Sequence, residues 1–148
     1  MPDKPEPMDT EKVLEQLNRG LTLQLRSLLQ FTQASGSMFG IEVQGVAGKL
    51  WEFARHELQD TRLLVEKITA LGGDPTTEVG ELAWDPKPSK ALDRLIETED
   101  EVTEALHAVI PHSGQEAASE ALEHLMEHII MRKQNQIDWL RRARRAPG

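Results

Sequence analysis

Apolar residues return every three or four positions along most of this chain, and four separate stripes result. The first runs through Leu14, Leu17, Leu21, Leu28 and Phe31. The second passes Val43, Val46, Leu50, Ala54, Leu64 and Ile68. The third holds Leu92, Leu95, Ile96, Val102, Leu106 and Val109, and the fourth Leu122, Leu125, Met126, Ile129, Ile137 and Leu140. That spacing predicts amphipathic α-helices. No segment keeps the period-two alternation of a strand, and no repeat of solenoid length is present.

Local signals punctuate the stripes. Asp9 or Thr10 offers an N-cap to the first helix, with Glu11 in its first turn. "ASGSMFG", with Gly36, ends it. The second helix is expected from about Ile41 to Leu71, where "LGGDP" stops it: glycine suits the C′ position and Pro75 forbids continuation. Ser89 is the expected cap of the third helix, "PHSG" its close, and Ser113 the cap of the fourth. "TTEVGELAWDPKP" is longer than an ordinary connection and long enough to run from one end of a bundle to the other. The expectation is an all-α four-helix bundle over residues 10–145 with one long crossover between helices two and three. Residues 1–9, rich in proline, read as a disordered lead-in, and 146–148 as a tail.

Each stripe follows a heptad seam, and each seam is interrupted by polar residues near the middle of its helix. Gln24 interrupts the first, Glu57 and Thr61 the second, Glu99 the third, and Lys133 and Gln136 the fourth. Asp60, three residues from Glu57 in "HELQD", shares its helical face. If the helices pack antiparallel in sequence pairs, these side chains meet in one layer. Burying them is costly unless they are paired.

Composition narrows the function. Aromatics are 4% of the chain, tyrosine is missing, and charged residues make up 28%. The net charge of −8 disfavours nucleic acid and anionic membrane as partners. No run approaches the roughly 20 apolar residues of a membrane span. The start, "MPDKPEPMD", has no apolar signal core. The lack of cysteine excludes disulfides, thiolate metal sites and cysteine nucleophiles. A cytoplasmic protein is expected.

Three segments resemble bacterioferritin and its ferritin-like relatives: "LNRGLTLQL", "ELQDTRLLVEKITALGGDP" and "QNQIDWL". The first two run in one ungapped register from Leu17 to Pro75, and the resemblance covers Glu11 to Leu140. It implies a ferritin-like four-helix bundle with one long crossover. The family's activity is oxidation of ferrous iron at a di-iron centre, with mineral storage in a cage. The implied ligands are a carboxylate from the first helix, Glu-x-x-His from the second, Glu from the third and Glu-x-x-His from the fourth. Carried over, the first carboxylate becomes Gln24. The second helix keeps Glu57, but its histidine becomes Asp60. The third keeps Glu99, placed by its seam. The fourth presents Lys133 and Gln136 in place of Glu and His. The family's haem-ligating Met is Leu58, so no haem is expected.

The reading that follows is a relic centre with no catalytic residue and no resident cofactor, in a binding or interaction module. Its alternative is a divergent ferroxidase or iron-binding protein that keeps iron, or one hard divalent cation, at Glu57, Asp60 and Glu99. Oxygen ligands of that kind suit magnesium or calcium. The family's small fifth helix has no counterpart after Leu140, so a homodimer through helices one and two is expected rather than a cage.

Other signals are weaker. "HLMEH" fits H-x-x-E-H, but His124, Glu127 and His128 lie off the seam, so a solvated helix face is the expectation. His56 and His107 read as lone surface residues. Arg141, Arg142, Arg144 and Arg145 suit a helix C-terminus. Trp51, Trp84 and Trp139 read as anchors, Trp51 at a dimer face.

Overall fold

The computed structural model describes residues 4–145. In it the four stripes are the inner faces of four long helices: α1 (Thr10–Ser37), α2 (Gln44–Ala70), α3 (Pro88–His107) and α4 (Ala117–Arg145). A short 3-10 turn, Ile110–His112, lies between α3 and α4. No strand occurs among the described residues. In α2, α3 and α4 the stripe residues and the polar residues that interrupt them are buried, except Val46, Ile96 and Leu125, which are half-buried, and Val43, half-buried just before α2. In α1 the buried face is wider, taking in Val13, Ser27, Gln30 and Ala34, while Leu14 and Leu28 sit half-buried at its border. The reason is that α1 packs against both α2 and α3.

Helix ends follow local chemistry in part. Asp9 caps α1, its carboxylate accepting from the Lys12 amide at 3.2 Å. Gly72 adopts φ +85°, and the Gly72 and Gly73 amides donate to Thr69 and Ile68 carbonyls. This is a Schellman close, and it satisfies carbonyls the helix would leave orphaned. α1 ends at Ser37, inside "ASGSMFG" and one residue past Gly36, as expected. Two expectations are corrected. Ser89 lies inside α3, because Pro88 takes the first helical position, where a missing N–H costs nothing. Ser113 does not cap α4: its hydroxyl donates to the Ile110 carbonyl at 2.7 Å, and Ser119 accepts from the Glu116 amide instead.

The segment between α2 and α3 crosses the bundle along α1. Asn18 holds its start, donating to the Asp74 carbonyl and accepting from the Thr76 amide. The Gly80 amide donates to the Thr22 carbonyl and the Ala83 amide to Gln30 Oε1. The Trp84 indole reaches Ser37 Oγ. These anchors climb α1 from residue 18 to residue 37, about 28 Å at 1.5 Å per residue. The connection therefore spans the bundle's length. Part of the expected lead-in is held as well: Glu6 pairs through its backbone with Gln115, and the Asp9 amide donates to the His112 carbonyl. Residues 1–3 and the expected tail, 146–148, lie outside the described residues.

The apolar core is divided in two. One cluster, around Leu17, Leu21, Leu64, Leu106 and Met126, fills one end. The other, around Phe31, Phe53, Leu95 and Leu140, fills the opposite end. The polar residues of the four seams lie between them.

Candidate functional site

The layer between the two clusters is built from all four helices. Glu57, on α2, is its hub and is fully buried. Its Oε2 accepts from Gln24 Nε2 at 2.6 Å and from Lys133 Nζ at 2.7 Å, and its Oε1 accepts from Gln136 Nε2 at 2.8 Å. Glu99, on α3, is the second buried carboxylate. It accepts from Lys133 Nζ at 3.3 Å and from Gln136 Nε2 at 3.1 Å. Gln24 also donates to the Glu57 carbonyl, and Thr61 donates to that carbonyl from within α2. Gln24, Glu57, Glu99, Lys133 and Gln136 thus form one connected network, as their shared level in the seams predicts.

Charge balance follows from burial. Burial drives each carboxylate towards its neutral form, and one ammonium can offset only one anion well. At Glu57, burial is outweighed by the Lys133 charge and by hydrogen bonds from Glu99, Lys133 and Gln136, so its pKa lies below the ordinary value. At Glu99, burial and the neighbouring Glu57 charge win over Lys133, and its pKa stands well above the ordinary value. Burial alone would strip the proton from Lys133, but Glu57 and Glu99 together hold its pKa up. The balance therefore favours charged Lys133 and Glu57, and Glu99 is the carboxyl that holds its proton more tightly.

Asp60 sits at the edge. It is buried, and it pairs with Arg132 of α4 rather than with the network. Burial, opposed by Lys133 and reinforced by Glu57, raises its pKa to about 6. Arg132 escaped the sequence reading. Its one available signal is its place beside Lys133, where a helix turns from its inner face towards the neighbouring helix. A second polar patch also escaped: Gln30 donates to Thr98 Oγ1 at 3.0 Å while its Oε1 holds the crossover.

A di-iron centre needs converging carboxylates and imidazoles with free lone pairs. Here an ammonium with no lone pair sits between the two Glu side chains, and amide N–H groups take up their oxygens. The set does not fit. Nor do Glu57, Asp60 and Glu99 converge as a hard-cation site, since Asp60 turns to Arg132. Among the described residues no group of three or more His, Asp or Glu side chains is placed to hold a metal ion.

The weaker signals sort by exposure. His124, Glu127 and His128 are exposed on the outside of α4, and His124 lies 3.6 Å from Glu120. His107 is exposed. His56 is not a free surface residue: it is half-buried beside the Phe53 ring. Two of the C-terminal arginines bind α3, Arg144 to Asp93 at 2.8 Å and Arg141 to Asp100 at 3.3 Å. Trp139 packs edge-on to Phe53 at 5.6 Å, whereas Trp51 and Trp84 are about half exposed. No helix of the described residues is long and apolar enough to cross a membrane.

Known proteins place this architecture. The family described as "Ferritin-like domain" matches residues 14–145. A crystal structure of "ferritin like, diiron-carboxylate proteins" from Bacillus anthracis str. Ames superposes with a TM-score of 0.81. It is 22% identical and covers 91% of this chain and 96% of its own, a likeness of fold. No curated protein matches the chain in sequence.

Proposed function

Since the chain belongs to the ferritin-like domain family, we propose that it is a member whose di-iron position has been taken over by a salt-bridged polar core. It then serves as a non-redox binding or interaction module. The observation that carries this reading is Lys133. Its ammonium is fully buried and lies within 2.7 Å of Glu57 and 3.3 Å of Glu99. A single positive charge there offsets buried anions, the electrostatic part of what bound metal would do. The protein's scaffold is kept and its redox chemistry is not.

A module of this kind presents surfaces, and α2 carries one. Trp51 and Leu58, seven residues apart, stand exposed on one face, and Leu29 is exposed on α1. This supports a homodimer through α1 and α2, in which a two-fold axis covers both patches at once.

The test is aerobic loading with ferrous iron, followed by metal analysis that also covers magnesium and calcium. Fewer than one metal per chain and no accelerated iron oxidation are expected. Two irons per chain would establish the divergent ferroxidase, and one stoichiometric magnesium or calcium a retained hard-cation site.

A further inference from the structure

A groove of about 310 Å³ opens between α2 and α4, on the outer side of the polar core. It lies where those two helices approach each other sparsely. Its apolar part is Phe53 and Trp139, set edge to face. Around them stand Lys49, Arg132 and Arg142, with Glu52 as the one carboxylate, and Lys49 binds that carboxylate at 3.3 Å. Glu52 matches Lys49 and Asp60, behind the lining, matches Arg132, which leaves Arg142 as the lining cation without a salt-bridge partner among the described residues, in a chain whose net charge is −8. Two of the lining side chains, Gln136 and Arg132, each keep one polar atom without a partner. Gln136 is 3% exposed, and its Oε1 is buried and accepts no hydrogen bond. Arg132 Nε is likewise buried and unmatched, although its Nη2 binds Asp60. A buried acceptor and a buried donor left open are each costly, so both call for a partner.

We propose that this groove is a binding site for a small planar aromatic acid that carries a hydrogen-bond donor. The ring lies against Phe53 and Trp139, the acid group meets Arg132 and Arg142, and the donor reaches Gln136 Oε1. The volume is at the small end of ligand sites, the size of a one- or two-ring molecule. The mix of aromatic floor, cationic rim and few directed polar groups is the usual make-up of such sites. The groove shares Gln136 with the buried network and meets Asp60 through Arg132, so this proposal rests on the metal-free reading of that centre; iron loading tests that reading, and the titration below tests this one.

The probe is 2-aminobenzoate, titrated calorimetrically into the full chain, with the three tryptophan indole N–H signals followed by NMR. Saturable 1:1 binding is expected, with Trp139 shifting and Trp51 and Trp84 unmoved. Aniline, without the acid, and benzoate, without the donor, should each bind about tenfold more weakly. Arg142→Glu, at an exposed position, should lose about tenfold in affinity and fold normally. Arg141→Glu, whose wild-type side chain binds Asp100, should bind as wild type. No saturation by about 10 mM, a shift at Trp51 or Trp84 in place of Trp139, or equal losses in both arginine variants overturns the proposal.

Discussion

Lys133 is the residue on which the core's electrostatics turn. Removing one partner of a buried ion pair strands the other charge, at a cost on the order of 3–5 kcal/mol. Lys133→Met is therefore expected to lower unfolding free energy by about that amount, against at most about 0.5 kcal/mol for Met at exposed Lys90. Urea titration of the two variants checks it, and equal stabilities would remove the pairing from the account. Asp60 gives the pH dependence. Its folded pKa of about 6 exceeds the ordinary 3.8, so the folded state holds the proton more tightly. Stability then falls as pH rises from about 4 to about 7, and the raised Glu99 acts in the same direction. Glu57, whose pKa is lowered, works oppositely: its contribution is present above the ordinary 4.5 and lost in more acid solution. Greater stability at pH 5 than at pH 7 is expected, with a smaller difference in Asp60→Asn. An Asp60→Asn slope as steep as wild type would show that another group sets it.

At the scale of elements, the crossover is held by α1 rather than by its own sequence. Asn18 is the first clamp, with two hydrogen bonds to backbone groups of the connection. Each is worth about 1 kcal/mol net, so Asn18→Ala should cost about 1–2 kcal/mol and speed hydrogen exchange at the Thr76 amide before any helical amide. Uniform exchange changes along α1 would argue that the clamp is not local. Gly72 closes α2 with a left-handed φ, which a Cβ would strain by about 1–2 kcal/mol, so Gly72→Ala should lower the unfolding midpoint while leaving helical content unchanged.

For the whole molecule, the question is whether the polar core has the geometry of a di-iron site. Restoring the ligand types with Gln24→Glu, Asp60→His, Lys133→Glu and Gln136→His should create a site that takes up ferrous iron, because the four helices already bring these positions together. Metal analysis after loading reads the result, and a folded quadruple variant that stays iron-free would mean the backbone has moved as well as the side chains. The expected dimer is tested by light scattering. Leu58→Glu with Trp51→Glu should halve the mass, and an unchanged mass would place the interface elsewhere.

The number of helices, their seams and the polar break in each were legible in the sequence, because periodicity is a local property. Even the meeting of Gln24, Glu57, Glu99, Lys133 and Gln136 followed, since equal heights on packed helices leave little freedom. Helix starts were less legible. Asp9 caps its own helix, but Pro88 and Ser119 took over from Ser89 and Ser113 through neighbours that no three-residue rule anticipates. The tertiary structure alone decided how charges and cavities are shared. Lys133 chose two carboxylates, 76 and 34 positions away. Asp60 left the centre for Arg132, burial and then the neighbouring Glu57 charge raised the pKa of Glu99, and His56 and Trp139 came to border one groove. Each of these rests on competition between groups distant in the chain, and in a low-dielectric interior that competition is settled by tenths of a nanometre, which only packing supplies.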